Sequence, residues 1–409
     1  MKKIVKTLLM LLLLFPLHGV SQKTNRNVEK IVLGIKKTIH STILNEDREI
    51  WIYAPNSNAT NNSKLPVMYI LDGPSFFNSF SSIAEYLNKA GKMPEMIIVG
   101  IANTNRLRDL TPSHSVFWSD GEQDSAALGA SGGGENFIKF ISDELIPYID
   151  SSYKPAPYKM LVGHSLGGLT VINILLNHKE LFDSYVAIDP SIWWDKHLVM
   201  KQTSEKLKSY NYSGKRLYFA SANTMAKDMD TIRVLHDQAN INSHVKENLQ
   251  YRDILKSAAK SNLVWDWKYY PNDNHVSIPV IASYDAFRTI FKDYEFEKDL
   301  NDKSITLNQV KDHYAKVSKM MNYQVLPSQN MINNIGYNFL SNKEYDKAYS
   351  FFNLNIENYP SSANVYDSMG DLYIEKKDDK KAIELFKKAL SLKEQPETRK
   401  KLEKLEMGK

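Results

Sequence analysis

Met160-Leu161-Val162-Gly163-His164-Ser165-Leu166-Gly167-Gly168, with the helical run from Leu169 to Leu176 behind it, decides how this chain folds. Three apolar residues lead into a G-x-S-x-G motif and an apolar helical run leaves it. That is the strand, turn and helix order by which a serine is raised at the edge of a sheet. The glycines have a steric reason, because the serine occupies a strained turn where a larger flanking side chain would meet neighbouring backbone. Ser165 is therefore the candidate nucleophile, and the amide of Leu166 is a candidate donor to a developing oxyanion. A bare match to the motif arises by chance in roughly one chain in ten of this length, so the flanking strand and helix carry the weight.

From Ile31 to about Phe296 short apolar runs alternate with amphipathic ones, the pattern of an α/β domain with a largely parallel sheet. Strands are predicted at Glu49 to Ala54, Val67 to Leu71, Met96 to Ile101, Met160 to Val162, Tyr185 to Ile188, Leu217 to Ala220 and Trp265 to Tyr270. Between them, Phe137, Phe140, Ile141, Leu145 and Ile149 share one face of a predicted helix. The chain has 409 residues, more than one core of roughly 250 to 300 residues accommodates, so two folded units are expected. Without cysteine, thiolate metal sites, disulfides and cysteine nucleophiles are all excluded.

A nucleophilic serine needs a base, and on this strand-turn-helix arrangement the chain order is serine, acid, histidine. Of ten histidines, His275 lies in Asn272-Asp273-Asn274-His275-Val276-Ser277, directly after the last predicted strand and before a helix from Ile278 to Phe291. A loop in that place brings an imidazole back to Ser165. His236 and His244 precede the last strand, and His178 and His197 read as surface residues. No H-E-x-x-H pair occurs, so neither a metal nor another cofactor is expected.

The same residues resemble the esterase branch of the α/β-hydrolases, the group with enterochelin esterases, esterase D and mycolyltransferases. The likeness spans about Ile31 to Phe291. It includes Tyr69-Ile70-Leu71-Asp72-Gly73, Gly100 to Arg106 leading to Arg108-Asp109-Leu110-Thr111-Pro112, Val162 to Gly168, and Asp189-Pro190-Ser191-Ile192-Trp193-Trp194. The resemblance implies an α/β-hydrolase fold with a mostly parallel central sheet, Ser165 as nucleophile and His275 as base. It also implies a second oxyanion donor after Asp72; Pro74 has no N–H, which leaves Gly73 or Ser75, and Gly73 is preferred. The family places its acid shortly after the strand predicted at Leu217 to Ala220. Asn223 and Thr224 hold the first positions there, Asp228 and Asp230 are the first carboxylates, and Asp230 is preferred. Val276 stands where the family often has glycine and would narrow either the loop or the substrate entrance. Arg106, Arg108 and Asp109 either bind a polar substrate or brace their own loop, the latter being preferred. Trp193 and Trp194 either line a pocket or fill space.

Beyond Phe296 the strand pattern ends and a repeat begins. Gly336, Ala348, Phe352 and Pro360 mark one copy and Gly370, Ala382, Phe386 and Ala389 a second, and the glycines and phenylalanines each recur 34 residues on. The period and Met369-Gly370 followed by Tyr373 resemble the tetratricopeptide repeat. The first copy departs from the pattern with Phe339 at the tyrosine position and Asn355 at the later alanine position. Two repeats are fewer than the three or so that stand alone, so they are expected to lean on the hydrolase domain or on Ile305 to Tyr323. The expected division is a signal peptide at 1–21, a hydrolase domain at 22–296, a helical connector at 297–328 and an all-α tetratricopeptide-repeat domain at 329–409.

The formal charge is +5, of which Lys2, Lys3 and Lys6 supply three units; without them the remaining +2 gives no electrostatic footprint for nucleic acid. Those lysines precede an uncharged apolar run, Leu8 to Leu17, and then Gly19-Val20-Ser21. The run is half the length of a membrane span, so a secretory signal cleaved after Ser21 is expected, with no lipid-anchoring cysteine and a secreted or periplasmic product. The expectation is a secreted serine carboxylic-ester hydrolase acting on a small-molecule ester, a siderophore or carbohydrate ester among the family's options, without a cofactor. Its rivals are a weakly active scaffold whose repeats bind a protein partner, and an acyltransferase.

Overall fold

Residues 31–55, 64–118 and 120–408 are described in a computed structural model of the chain. The expected signal segment, residues 1–21, lies outside the described residues. Eight strands make one sheet: β1 (Ile35–Ser41), β2 (Glu46–Tyr53), β3 (Val67–Ile70), β4 (Ile97–Ile101), β5 (Lys159–His164), β6 (Ser184–Ile188), β7 (Arg216–Ala222) and β8 (Val264–Tyr270). Their order is β1-β2-β4-β3-β5-β6-β7-β8, with β1 antiparallel to β2, β2 antiparallel to β4, and every other pair parallel.

Burial explains which strands the sequence announces. β3, β4 and β6 are buried at every position and read as unbroken apolar runs, as strands covered on both faces do. β1, Ile-Lys-Lys-Thr-Ile-His-Ser, is exposed over its first four residues and carries no such run, which is why no strand is predicted there. It is held by its ladder to β2. The helix predicted from Glu135 runs from Gly134 to Tyr153 with a π turn at Ile141–Leu145, and all five predicted face residues are buried.

Helices α1 (Gly73–Lys89), α2 (Leu166–Asn177), α3 (Trp194–Ser209), α4 (Ser243–Ser257) and α5 (Ile278–Ile290) flank the sheet. α2 is buried from Gly167 through Leu176, as its nearly all-apolar sequence demands. α1 and α5 meet through Phe80 and Phe287, edge to face at 6.1 Å. Because β3 and β5 to β8 are parallel, their C-terminal ends share one edge of the sheet, where the following loops converge.

The tail comprises α6 (Leu307–Met321), α7 (Gln329–Ser341), α8 (Tyr345–Asn358), α9 (Ala363–Glu375), α10 (Asp379–Leu392) and α11 (Pro396–Met407). The 34-residue period has a direct cause. A Cβ on Gly336 would lie 2.5 Å from Cε1 of Phe352, and one on Gly370 2.5 Å from Cε1 of Phe386, so each glycine seats the ring of the paired helix. Burying each ring contributes about 2–3 kcal/mol. The first repeat closes its core on Ile305 and on Val310 of α6, which cluster with Ile332, Ile335 and Phe339. Asn355, the departure from alanine, is fully buried and donates through Nδ2 to Gln329 O at 3.1 Å. Among the described residues no helix is long and apolar enough to cross a membrane.

Candidate active site

β5 ends at His164, and Ser165 takes φ 60° and ψ −119°, a backbone conformation that costs a non-glycine residue roughly 1–3 kcal/mol. Its neighbours hold it there: Ser165 N–H donates to Ile188 O at 3.0 Å, and Ser165 O accepts from Leu169 N–H at 3.0 Å and Ser191 N–H at 3.1 Å. A Cβ on Gly163 would come within 2.4 Å of the Gly167 carbonyl, so the strand and helix cannot approach this closely with any other residue there.

The structure brings His275 to Ser165. Its Nε2 lies 3.1 Å from Ser165 Oγ. The loop after β8 is shaped by Asn274 Oδ1, which accepts from Val276 N–H at 2.9 Å and Ser277 N–H at 3.1 Å. It is tied to the loop after β7 by Asn223, whose N–H donates to Asp273 O and whose Nδ2 donates to Pro271 O. Asn223 thus fixes the histidine loop from the place where the sequence suggested an acid.

Asp230 is not brought to the histidine. It is exposed, and its carboxylate accepts from Arg233 Nε and N–H, both at 2.8 Å, and from Ile232 N–H at 2.9 Å, capping a short 3-10 turn. Asp228, the alternative, is exposed in the same loop. The carboxylate that meets His275 is Asp189, one strand earlier, with Oδ2 at 2.5 Å from Nδ1. The reason is topological. β6 lies beside β5, so the first residue after β6 is already next to the elbow, whereas β7 stands one strand farther away.

Asp189 is fully buried, with φ 42°. Ala222 N–H from the end of β7 donates to its Oδ1 at 2.9 Å, and His244 Nε2 of α4 lies 3.0 Å from Oδ2. Burial by itself would raise its pKa; the His244 and His275 rings more than offset this and hold the carboxyl far below the usual carboxylate range. His164, in the elbow itself, is pushed down to about 4 by burial and by the charge of His275, whose ring centroid is 4.5 Å away. At neutral pH His164 is an uncharged wall of the site.

Leu166 and Gly73 are the first residues of α2 and α1, positions whose N–H has no acceptor within its own helix. They follow the neighbouring strands β5 and β3, and both helix N-termini favour negative charge at this edge. The loops carrying them are braced together. Arg106 donates to Asp72 through Nε at 2.7 Å and Nη2 at 2.9 Å, and Nη2 also reaches His164 O at 3.3 Å. Asn103 Nδ2 donates to the same carboxylate. Arg108 and Asp109 engage Glu46 and Arg48, the latter pair fully buried. These charges bind protein.

Trp194 is buried with Nε1 on Ser113 O at 3.1 Å, so it fills space. Trp193 packs against the half-exposed Trp118 at 5.9 Å. Val276 is 83% exposed beside His275, at the rim of the site. A carboxylate oxygen of Asp189 and ring nitrogens of His244 and His275 lie within 4.8 Å of one another, close enough to share a cation, but each of the two rings already bonds to Asp189 Oδ2.

The profile of the family described as "Putative esterase" matches residues 41–294, and that of a tetratricopeptide repeat matches residues 363–396. The chain is 30% identical to an IroE-like serine hydrolase from Shewanella oneidensis, with a TM-score of 0.68 over 79% of this chain and 99% of that one. It is 26% identical to the ferri-bacillibactin esterase BesA of Bacillus subtilis over 53% of this chain and 76% of that protein. It is also 26% identical to a siderophore triacetylfusarinine C esterase of Aspergillus fumigatus, over 35% of this chain and 50% of that protein.

Proposed function

Since the chain belongs to this esterase family and is a serine carboxylic-ester hydrolase, we propose that Ser165, His275 and Asp189 carry its reaction. The observation that supports the assignment most strongly is the unbroken link of 3.1 Å from Ser165 Oγ to His275 Nε2 and 2.5 Å from His275 Nδ1 to Asp189 Oδ2. His275 Nε2 takes the proton from Ser165 Oγ as the oxygen attacks the ester carbonyl. Asp189 keeps the imidazole oriented and offsets the charge it gains. The amides of Leu166 and Gly73 receive the tetrahedral oxyanion. His275 then protonates the departing alcohol, and the same ring deprotonates the water that releases the acyl group from Ser165.

The narrower substrate class is a siderophore ester, on the strength of the relatives named for such esters. Secretion rests on the order of basic, apolar and small residues over 1–21. The tail, as a folded pair of repeats with a closing helix, is assigned to binding a protein partner.

The test is hydrolysis of short-chain p-nitrophenyl esters and of a ferric siderophore trilactone. Ser165→Ala and His275→Ala should each lower kcat/KM by about a thousandfold or more with unchanged circular dichroism. A folded parent no faster than Ser165→Ala on both substrates would refute the mechanism. Turnover of the simple esters alone would remove the siderophore reading and leave the mechanism standing.

A further inference from the structure

A serine hydrolase needs one imidazole on its acid, and Asp189 carries two. Oδ2 bonds both His275 Nδ1 at 2.5 Å and His244 Nε2 at 3.0 Å, while Asn248 Nδ2 lies 3.4 Å from Oδ1 and 3.2 Å from His244 Nε2. The His244 ring stands edge-on to His275, with centroids 5.1 Å apart and an interplanar angle of 85°. An ionised carboxylate only accepts, so His244 Nε2 carries the hydrogen of this bond. Hydrolysis as described above has no step that uses His244.

We propose that His244 is a positioning residue that sets, through its own proton, how much of the Asp189 charge is presented to His275. This rests on the Ser165, His275 and Asp189 assignment. Neutral His244 anchors the carboxylate and leaves its full charge to the His275 imidazolium that forms as Ser165 attacks. Protonated, His244 becomes a second cation on the same carboxylate and opposes that imidazolium across 5.1 Å. The second proton on His244 therefore slows the reaction.

The surroundings limit what else could act on His244. Asp189 comes from the end of β6, His275 from the loop after β8, and Glu247 from α4 itself. Glu247 is bound by His197 of α3 at 2.9 Å. The 3-10 turn packed on α4 adds Arg233, engaged by Asp230, and His236. Burial works against charging His244, but the charge and hydrogen bond of Asp189 prevail and its pKa is raised. The slowing therefore begins above the ordinary imidazole pKa of about 6.5.

The test is the pH profile of kcat/KM for a p-nitrophenyl ester with the parent, His244→Gln and His244→Phe. Glutamine keeps a donor but cannot titrate. As pH falls, kcat/KM of the parent should pass through a step of about tenfold that the His244→Gln profile lacks. His244→Phe, without the donor, should be slower by about tenfold or more at every pH. A His244→Gln profile that superimposes on the parent's overturns the proposal. Should the variants not fold, imidazole nitrogen NMR of the parent decides instead: the His275 Nδ1 proton must shift as His244 titrates, and an unmoved resonance overturns the proposal. An inactive Ser165→Ala beside an unchanged His244→Gln profile defeats this inference alone. An active Ser165→Ala defeats the assignment beneath it.

Discussion

Around Ser165 the polar atoms that meet come from loops far apart in the chain, whereas in the tail each defining contact joins residues sixteen apart and is made twice. Ser165, Asp189 and His275 follow β5, β6 and β8, and two of the three hold left-handed φ values. Gly336 with Phe352 and Gly370 with Phe386 are ordinary helical residues packed at one spacing. The first region concentrates strain and buried charge where a reaction needs them. The second distributes apolar packing where only shape is needed. Substitutions in the two regions should therefore be read out by different measurements.

The largest separation is expected from the two aspartates. Asp189→Asn should lower kcat by between about a hundredfold and ten-thousandfold, because the ring of His275 loses both its orientation and its counter-charge. Asp230→Asn should leave steady-state kinetics within about twofold, since that carboxylate caps an exposed turn. The reverse ranking would return the acid to the loop after β7. Next is Gly370→Ala. Its Cβ must displace the Phe386 ring, so the tail should lose about 1–3 kcal/mol in thermal or denaturant unfolding while ester turnover stays unchanged. A matched fall in turnover would show that the two regions are not independent. The smallest effect is Ser165→Gly, which removes the nucleophile but relieves the left-handed backbone. It should unfold no earlier than the parent, with a gain between zero and about 1 kcal/mol, as judged by calorimetry.

The elbow was legible because its glycines answer to sterics that any strand-turn-helix of this kind obeys, and His275 because one loop follows the last strand before a helix. The tail was legible because a packing contact made twice leaves a period. The acid was not, for a physical reason. A carboxylate reaches the imidazole from either of two adjacent strand ends, and chain order admits Asp189 and Asp230 equally. The signal that favours Asp189 is its place directly behind Ser184-Tyr185-Val186-Ala187-Ile188, a strand with no exposed residue, where a charge is buried and must be paired. β1 escaped because an exposed edge strand has no apolar pattern to betray it.

Rates of labelling by a fluorophosphonate, followed by intact mass and peptide mapping, test most directly whether Ser165 is activated through His275 held by Asp189. A single adduct on Ser165 is predicted for the parent and, at the same rate, for Asp230→Asn, with labelling slowed by at least about a hundredfold in His275→Ala and Asp189→Asn. Labelling of another residue, or an Asp189→Asn protein labelled as fast as the parent, would contradict it.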